Sequence, residues 1–216
     1  MFVLMTRSAD ASHARTMCDE ADRIIDLYER HAQHWDRNRW RNLFEKPWLA
    51  RFRALLPAGG SVLDMGCGSA EPIARHFIEA GYKVTGVDSS PAMIGLCKAR
   101  FPDETWVVAD MRALSLDARF DGLLAWDSFF HLTPSDQREI FDIFGQHAAP
   151  QAALMFTSGP RAGVAMGIYE GEPLYHASLD PEEYRALLNE HGFEVVSYVP
   201  EDRTCGAHTI WLAQLR

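Results

Sequence analysis

From Ser61 onward, short apolar runs alternate with segments whose apolar residues recur every three or four positions. The runs predict strands over 61–65, 83–87, 105–108, 120–126, 152–158, 193–199 and 208–214. The spaced segments predict helices near 70–80, 91–100, 112–116 and 134–147. Repeated strand–helix–strand units imply a parallel sheet with helices on both faces, an α/β class. Right-handed crossovers make that sheet doubly wound and place ligands at the carboxyl ends of its strands.

Both ends depart from this rhythm. Asp180-Pro181-Glu182-Glu183 combines an N-cap, a first-turn proline and an acid at the third position, so it starts a helix. Tyr184, Leu187 and Leu188 form that helix's apolar stripe, and Gly192 ends it. The last two runs, "FEVVSYV" and "HTIWLAQL", have only a loop between them, too short for a parallel crossover, so they pair antiparallel. At the start, residues up to Cys18 read as a mixed, frayed tail. From Asp19 a helical pattern follows through Ile24, Leu27, Tyr28, His31 and Trp35, then a second aromatic one, "WRNLFEKPWLARFRALL". The expected organisation is a tail and helical cap over 1–57 and one α/β domain over 58–216.

Composition narrows the partners. A hydrophobic share of 47% and a charged share of 24% are ordinary for a soluble domain. The net charge of -9 disfavours nucleic acid as the main ligand, since phosphate binding draws on clustered Lys and Arg. "HWDRNRWRNLFEKPWLARFR" is basic and aromatic, but its spacing fits a packed cap with a solvated face. No run approaches membrane-spanning length, and "MFVLMTRSAD" is too short for a signal-peptide core, so a cytoplasmic location is expected. Cys18, Cys67, Cys97 and Cys205 lack metal-site spacing, the nine histidines are scattered, and no metal is expected.

The chemistry gathers at the strand ends. "LDMGCGSAE" has Gly66 and Gly68 where a dinucleotide fingerprint has its first two glycines, but Glu71 stands in place of the third. A carboxylate there, with Asp64 upstream, disfavours a pyrophosphate and suits a ligand with a positive group. Asp88, twenty residues after Gly68, ends the second strand and is placed to accept from ribose hydroxyls. Asp110 ends the third, suitably placed for an adenine amine, with Met111 able to pack on the base. Asp127 and His131 follow the fourth.

Taken in order, these segments resemble the class I S-adenosylmethionine-dependent methyltransferases from about Tyr28 to Arg216. "VLDMGCGSA", "VTGVDSSPAMI", "VVADMRAL" and "FDGLLAWDSFFHL" look like that family's successive strand-end motifs. "YERHAQHWD" resembles the Y-x-x-x-A-x-x-[YW]-D segment of its small-molecule members, in which the N-terminal helix folds over the cofactor. The resemblance implies a Rossmann-like seven-stranded sheet of order 3-2-1-4-5-7-6 with the last strand antiparallel. It also implies S-adenosylmethionine as cofactor, held by Tyr28, Asp64, Gly66, Gly68, Asp88, Ser89, Met93, Asp110, Met111 and Asp127.

The acceptor is an unidentified small molecule methylated on oxygen or nitrogen. His131 is the candidate base, since an imidazole titrates near neutrality. The chain has "WDSFF" where amine-methylating members often carry [DN]-P-P-[YF]. "GPRAGVAMGIYEGEPLYHAS" reads as a lid loop presenting Tyr169, Glu170, Tyr175 and His176. "CGAH" brings Cys205 and His208 toward the same region. Two alternatives stand beside this reading: a non-catalytic S-adenosylmethionine sensor and an NAD(P)-dependent oxidoreductase. A monomer or homodimer is expected, with no membrane or nucleic-acid partner.

Overall fold

Alternation along a strand sends successive side chains to opposite faces, and here it splits the core in two. The computed structural model describes residues 7–216, with side chains from Glu20 onward. Its strands are β1 (Ser61–Met65), β2 (Lys83–Asp88), β3 (Thr105–Val108), β4 (Phe120–Ala125), β5 (Ala148–Ser158), β6 (Gly163–Tyr169), β7 (Glu172–Ser178), β8 (Phe193–Asp202) and β9 (His208–Leu215). Its helices are α1 (Arg7–Asn38), α2 (Lys46–Arg53), α3 (Ile73–Glu79), α4 (Pro91–Arg100), α5 (Pro134–His147) and α6 (Pro181–Glu190).

Val62, Met155 and Leu212 point into a cluster covered by Phe52, Phe77 and Cys97 of α2, α3 and α4. Leu63, Phe156 and Trp211, one residue along, point into a second cluster covered by Phe141 and Phe144 of α5 and Tyr184 of α6. The main sheet runs β3-β2-β1-β4-β5-β9-β8. β1 to β5 pair in parallel, and β9 lies antiparallel between β5 and β8. With the β6–β7 hairpin counted apart, this is the expected seven-stranded order.

Three helices start on one device. Ser90, Thr133 and Asp180 accept a backbone N–H with their side chains, and Pro91, Pro134 and Pro181 follow at the first helical position. All three starts face the carboxyl-end side of the parallel strands or its continuation, which fixes the loops there.

Several expectations change. The helix in the tail begins at Arg7 rather than Asp19, while residues 1–6 and the side chains of His13 and Cys18 lie outside the described residues. The helix expected over 112–116 is a single 3-10 turn, Met111–Ala113. The second cap helix is confined to Lys46–Arg53. The largest correction concerns the lid: the segment expected as a loop is the antiparallel hairpin β6–β7, in register from Gly163↔Ser178 to Tyr169↔Glu172. It packs Tyr175 and Ala177 against Ala21, Ile24 and Leu27 of α1, making a third apolar cluster.

Candidate functional site

A cleft opens at the carboxyl ends of β1, β2 and β4, beneath α1. Its floor is the glycine bend. Gly66 has φ +79°, and a Cβ there would stand 2.2 Å from Ser128 Cβ, so only glycine passes this crossing. Gly68 has φ +54° and its N–H donates to Asp88 Oδ2 at 2.9 Å. Asp88 Oδ1 accepts from the Ser90 N–H at 2.9 Å, so one carboxylate ties the bend to the end of β2. Burial raises the Asp88 carboxyl, and the two N–H donors pull against that rise.

Most of the expected cofactor set reaches this cleft. Tyr28, Gly66, Gly68, Asp88, Ser89, Met93, Asp110, Met111 and Asp127 all line it, and so does His131. Asp64 does not. It is buried behind the bend, where desolvation, with Asp88 adding to it, pushes its carboxyl up to about 7. Glu71 is also elsewhere: its carboxylate is gripped by Arg75, with Nε at 2.9 Å from each oxygen, beside a separate surface groove. The expected repulsion of a pyrophosphate by Glu71 is therefore corrected, because Arg75 neutralises that charge away from the cleft. Asp110 lines the cleft already paired. The Arg112 side chain grips it, Nη2 donating to Oδ2 at 2.7 Å, and this ion pair holds its carboxyl below the usual range against the upward pull of burial.

The roof is aromatic. Tyr28 packs edge-on to Trp35 with centroids 5.3 Å apart and stacks on Tyr169 at 6.1 Å. His131 is buried below. Its Nδ1 donates to the Tyr175 carbonyl at 2.8 Å, which leaves the Nε2 lone pair to accept from the Tyr28 hydroxyl at 3.1 Å. Burial pushes this imidazole down to about 4, the Tyr175 carbonyl offsetting only part of the loss. Of the four expected lid residues, Tyr169 packs on the roof and His176 lies against His131, with ring centroids 4.9 Å apart. Tyr175 instead turns its side chain into the apolar cluster under the hairpin and serves the site through its carbonyl.

His208 belongs to another wall. Its Nδ1 donates to the Cys205 carbonyl at 2.7 Å, and its Nε2 meets Asp127 Oδ1 at 2.8 Å. With oxygen acceptors facing both ring nitrogens, this site favours the protonated imidazole. Desolvation lowers its affinity for the proton, but the Asp127 contact outweighs this and the net direction is upward. The Cys205 thiol takes no part in this contact. Arg39 stands 3.8 Å from Asp127 and 3.9 Å from the buried Glu45, so Asp127 enters the cleft between Arg39 and His208.

Residues 28–198 match the family described as "Methyltransferase domain". The chain belongs to that family. S-adenosylmethionine is the cofactor of its class I members, as the strand-end motifs implied. Among relatives, the putative methyltransferase YqeM of Bacillus subtilis is 30% identical over 115 residues, covering 50% of this chain and 46% of that protein. The malonyl-[acyl-carrier protein] O-methyltransferase of Pseudescherichia vulneris is 34% identical over 111 residues, 51% of this chain and 42% of its own length. The chain therefore spans less than half the length of these curated relatives. In fold it is similar to SAM-bound CalS10, an amino pentose methyltransferase from Micromonospora echinaspora. That match has a TM-score of 0.67 and 20% identity, and covers 86% of this chain and 96% of that one. The Burkholderia thailandensis 1,6-didemethyltoxoflavin-N1-methyltransferase, solved with S-adenosylhomocysteine, gives 0.67 and 19% over 100% and 93%.

The residues present fit this methyltransferase family's cofactor. A cradle of left-handed glycines lets the backbone approach the ligand closely, and the Asp88 carboxylate at the end of β2 suits its ribose hydroxyls. The sequence pattern named Ile24 only for its helical spacing and did not single out Ala21 and Ile25, which with it form an apolar wall from α1. It also missed Arg112, which joins Asp110 to Asp22 of α1 at 3.0 Å. Only the adjacency "DMR" could have suggested that clamp.

Proposed function

We propose that this chain transfers the methyl group of S-adenosylmethionine to an oxygen or nitrogen of a small molecule. The observation that carries the reading is the joint cleft: the glycine bend, the acids ending three strands and the aromatic helix face all line one cavity. Asp88 would hold the ribose edge, Asp110 and Met111 the base, and the Gly66–Gly68 backbone the amino-acid end. When bound, the cofactor supplies an electrophilic methyl group on a positively charged sulfur. The chain's part is to align an acceptor under the roof and keep water out, a positional contribution to rate. Tyr28 and His131 both line the cleft, and the Tyr28 hydroxyl donates to His131 Nε2. Where the acceptor carries a proton, His131 is the candidate base, a weak one because burial lowers its affinity for the proton.

Calorimetry with S-adenosylhomocysteine and, separately, with NADH tests the reading. The homocysteine ligand binds and NADH does not. Asp88→Asn weakens the former about tenfold to a hundredfold, the equivalent of roughly 1.5–3 kcal/mol for hydrogen bonds to a charged group. Incubation of an acceptor panel with methyl-labelled cofactor then yields label on oxygen or nitrogen. NADH binding without a response to S-adenosylhomocysteine overturns the cofactor assignment. Binding with no transfer across the panel returns the chain to the sensor reading.

A further inference from the structure

One arginine at the edge of the cleft leaves its donors unused. Arg39 follows the last residue of α1 and lays its guanidinium over Trp35, 5.3 Å from the ring centroid. Trp35 lines the cleft, and so does Asp127, which Arg39 also approaches. The acids beside it stand at 3.8 Å (Asp127 Oδ2) and 3.9 Å (Glu45 Oε1), close enough for charge to act and too far for a hydrogen bond. The side chain is only 17% exposed, yet among the described residues its guanidinium makes no hydrogen bond and its nitrogens are not sealed from solvent. Arg75, Arg100 and Arg112, by contrast, each grip a carboxylate of this chain, on Glu71, Asp36 and Asp110. A planar fork of N–H donors held beside a cleft, without a hydrogen-bonded acceptor of its own, suits a pair of oxygens from outside.

Its place along the sheet says which ligand it faces. With Asp110 and Met111 on the base, Asp88 on the ribose and the glycine bend on the amino-acid end, the proposed cofactor would span the ends of β3, β2 and β1. The sheet continues through β4 and β5 to β9, and Arg39, Asp127 and His208 gather on that side. It is the side left for the acceptor. Charge narrows the acceptor's chemistry. His208 engages the other oxygen of Asp127, and burial raises the Glu45 carboxyl toward its neutral form, so neither acid fully cancels Arg39. One negative charge on two coplanar oxygens matches this fork, whereas a doubly charged phosphate would meet Asp127 at close range.

We propose that Arg39 seats a carboxylate of the acceptor, so that the substrate of this chain is a small carboxylic acid. The inference rests on the methyl-transfer reading and adds the acceptor's class to it. Selectivity follows from the donor fork. The primary amide of the same acid has the same shape but no charge, and it turns an N–H₂ group toward a guanidinium that can only donate. A site built on such a contact rejects the analogue that cannot make it.

Calorimetry of the full chain with S-adenosylhomocysteine comes first. A parent that does not bind it overturns the methyl-transfer reading, and this inference with it, before any acid is added. The loaded protein then meets benzoate, salicylate, anthranilate and succinate, each beside its primary amide, with binding followed by saturation-transfer NMR. Acids of the panel bind and their amides do not. Arg39→Gln weakens the bound acids about tenfold to a hundredfold, the usual worth of hydrogen bonds between charged groups. Arg39→Lys, which keeps the charge and loses the fork, weakens them less and decides the matter if the glutamine variant melts early. Both variants keep the parent's affinity for S-adenosylhomocysteine. For an acid that is methylated, KM rises in Arg39→Gln while kcat holds. Acids that bind no better than amides, or equally to parent and both variants, overturn the proposal. Loss of S-adenosylhomocysteine affinity in Arg39→Gln with acid binding intact overturns it too, since the carboxylate at Arg39 is then the cofactor's own.

Discussion

His131 shows how burial decides what a side chain can do. With its Nδ1 proton committed to the Tyr175 carbonyl and its Nε2 lone pair facing Tyr28, the folded protein favours the neutral ring. The imidazole binds a proton at about 4 when folded, against an ordinary value of 6.5. Above pH 6.5 the ring is neutral in both states and contributes nothing to the pH dependence. As the pH falls below 6.5 the unfolded chain takes up the proton first, so folding stability declines until about pH 4. The full difference is about 3 kcal/mol. Urea unfolding at steps between pH 7 and pH 4 should show the parent losing about that much more stability than His131→Gln, whose side chain does not titrate. Parallel curves would mean that the ring is wet and free to protonate. The carboxylates at the strand ends were legible from spacing alone, because strand, bend and acid are contiguous in the chain. The partners that set their charge were not. Arg75 on Glu71 is four residues away and readable afterwards, but His208 reaches Asp127 across 81 positions.

At the scale of elements, the parallel strands were the easiest to read, since buried apolar runs between helices leave few other assignments. The β6–β7 hairpin was not legible, and its turn explains why. Tyr169 pairs with Glu172 across a two-residue loop in which Glu170 has φ +50° and Gly171 has φ +80°. Two positive φ angles make a type I′ turn, for which Asn-Gly and Asp-Gly are the sequence signals. Glu-Gly is not such a signal, so the segment looked like a glycine-rich loop. α1 and this hairpin form a unit of their own. Leu27 is buried against them, while Glu29 and Asp36 fasten the helix to α4 by accepting from Ala92 N–H at 3.0 Å and Arg100 at 2.7 Å. Leu27→Ala should therefore cost about 2–5 kcal/mol locally. Hydrogen exchange should show α1 and the hairpin losing protection while β1 and β4 keep theirs. Equal loss in the sheet would show that roof and sheet open as one unit.

Across the whole molecule, floor and roof come from distant parts of the chain. Gly66, Asp88 and Asp110 stand at or just past the ends of parallel strands, and Tyr28 and Trp35 on the N-terminal helix, yet all border one cavity. A ligand filling it touches both units, so its binding free energy opposes separation of the roof as well as global unfolding. At a hundred times its dissociation constant, S-adenosylhomocysteine should add about 2.7 kcal/mol of stability. For a chain of this size that corresponds to a rise of roughly 5–10 °C in Tm. The same addition should slow exchange in α1 and β7 more than in β8 and β9, which border the cavity only through the His208 contact. Asp88→Asn should shrink the Tm shift, and NADH at equal concentration should leave Tm unchanged. A shift without added protection in α1 would place the ligand on the sheet alone, with the helix no more than a bystander to binding.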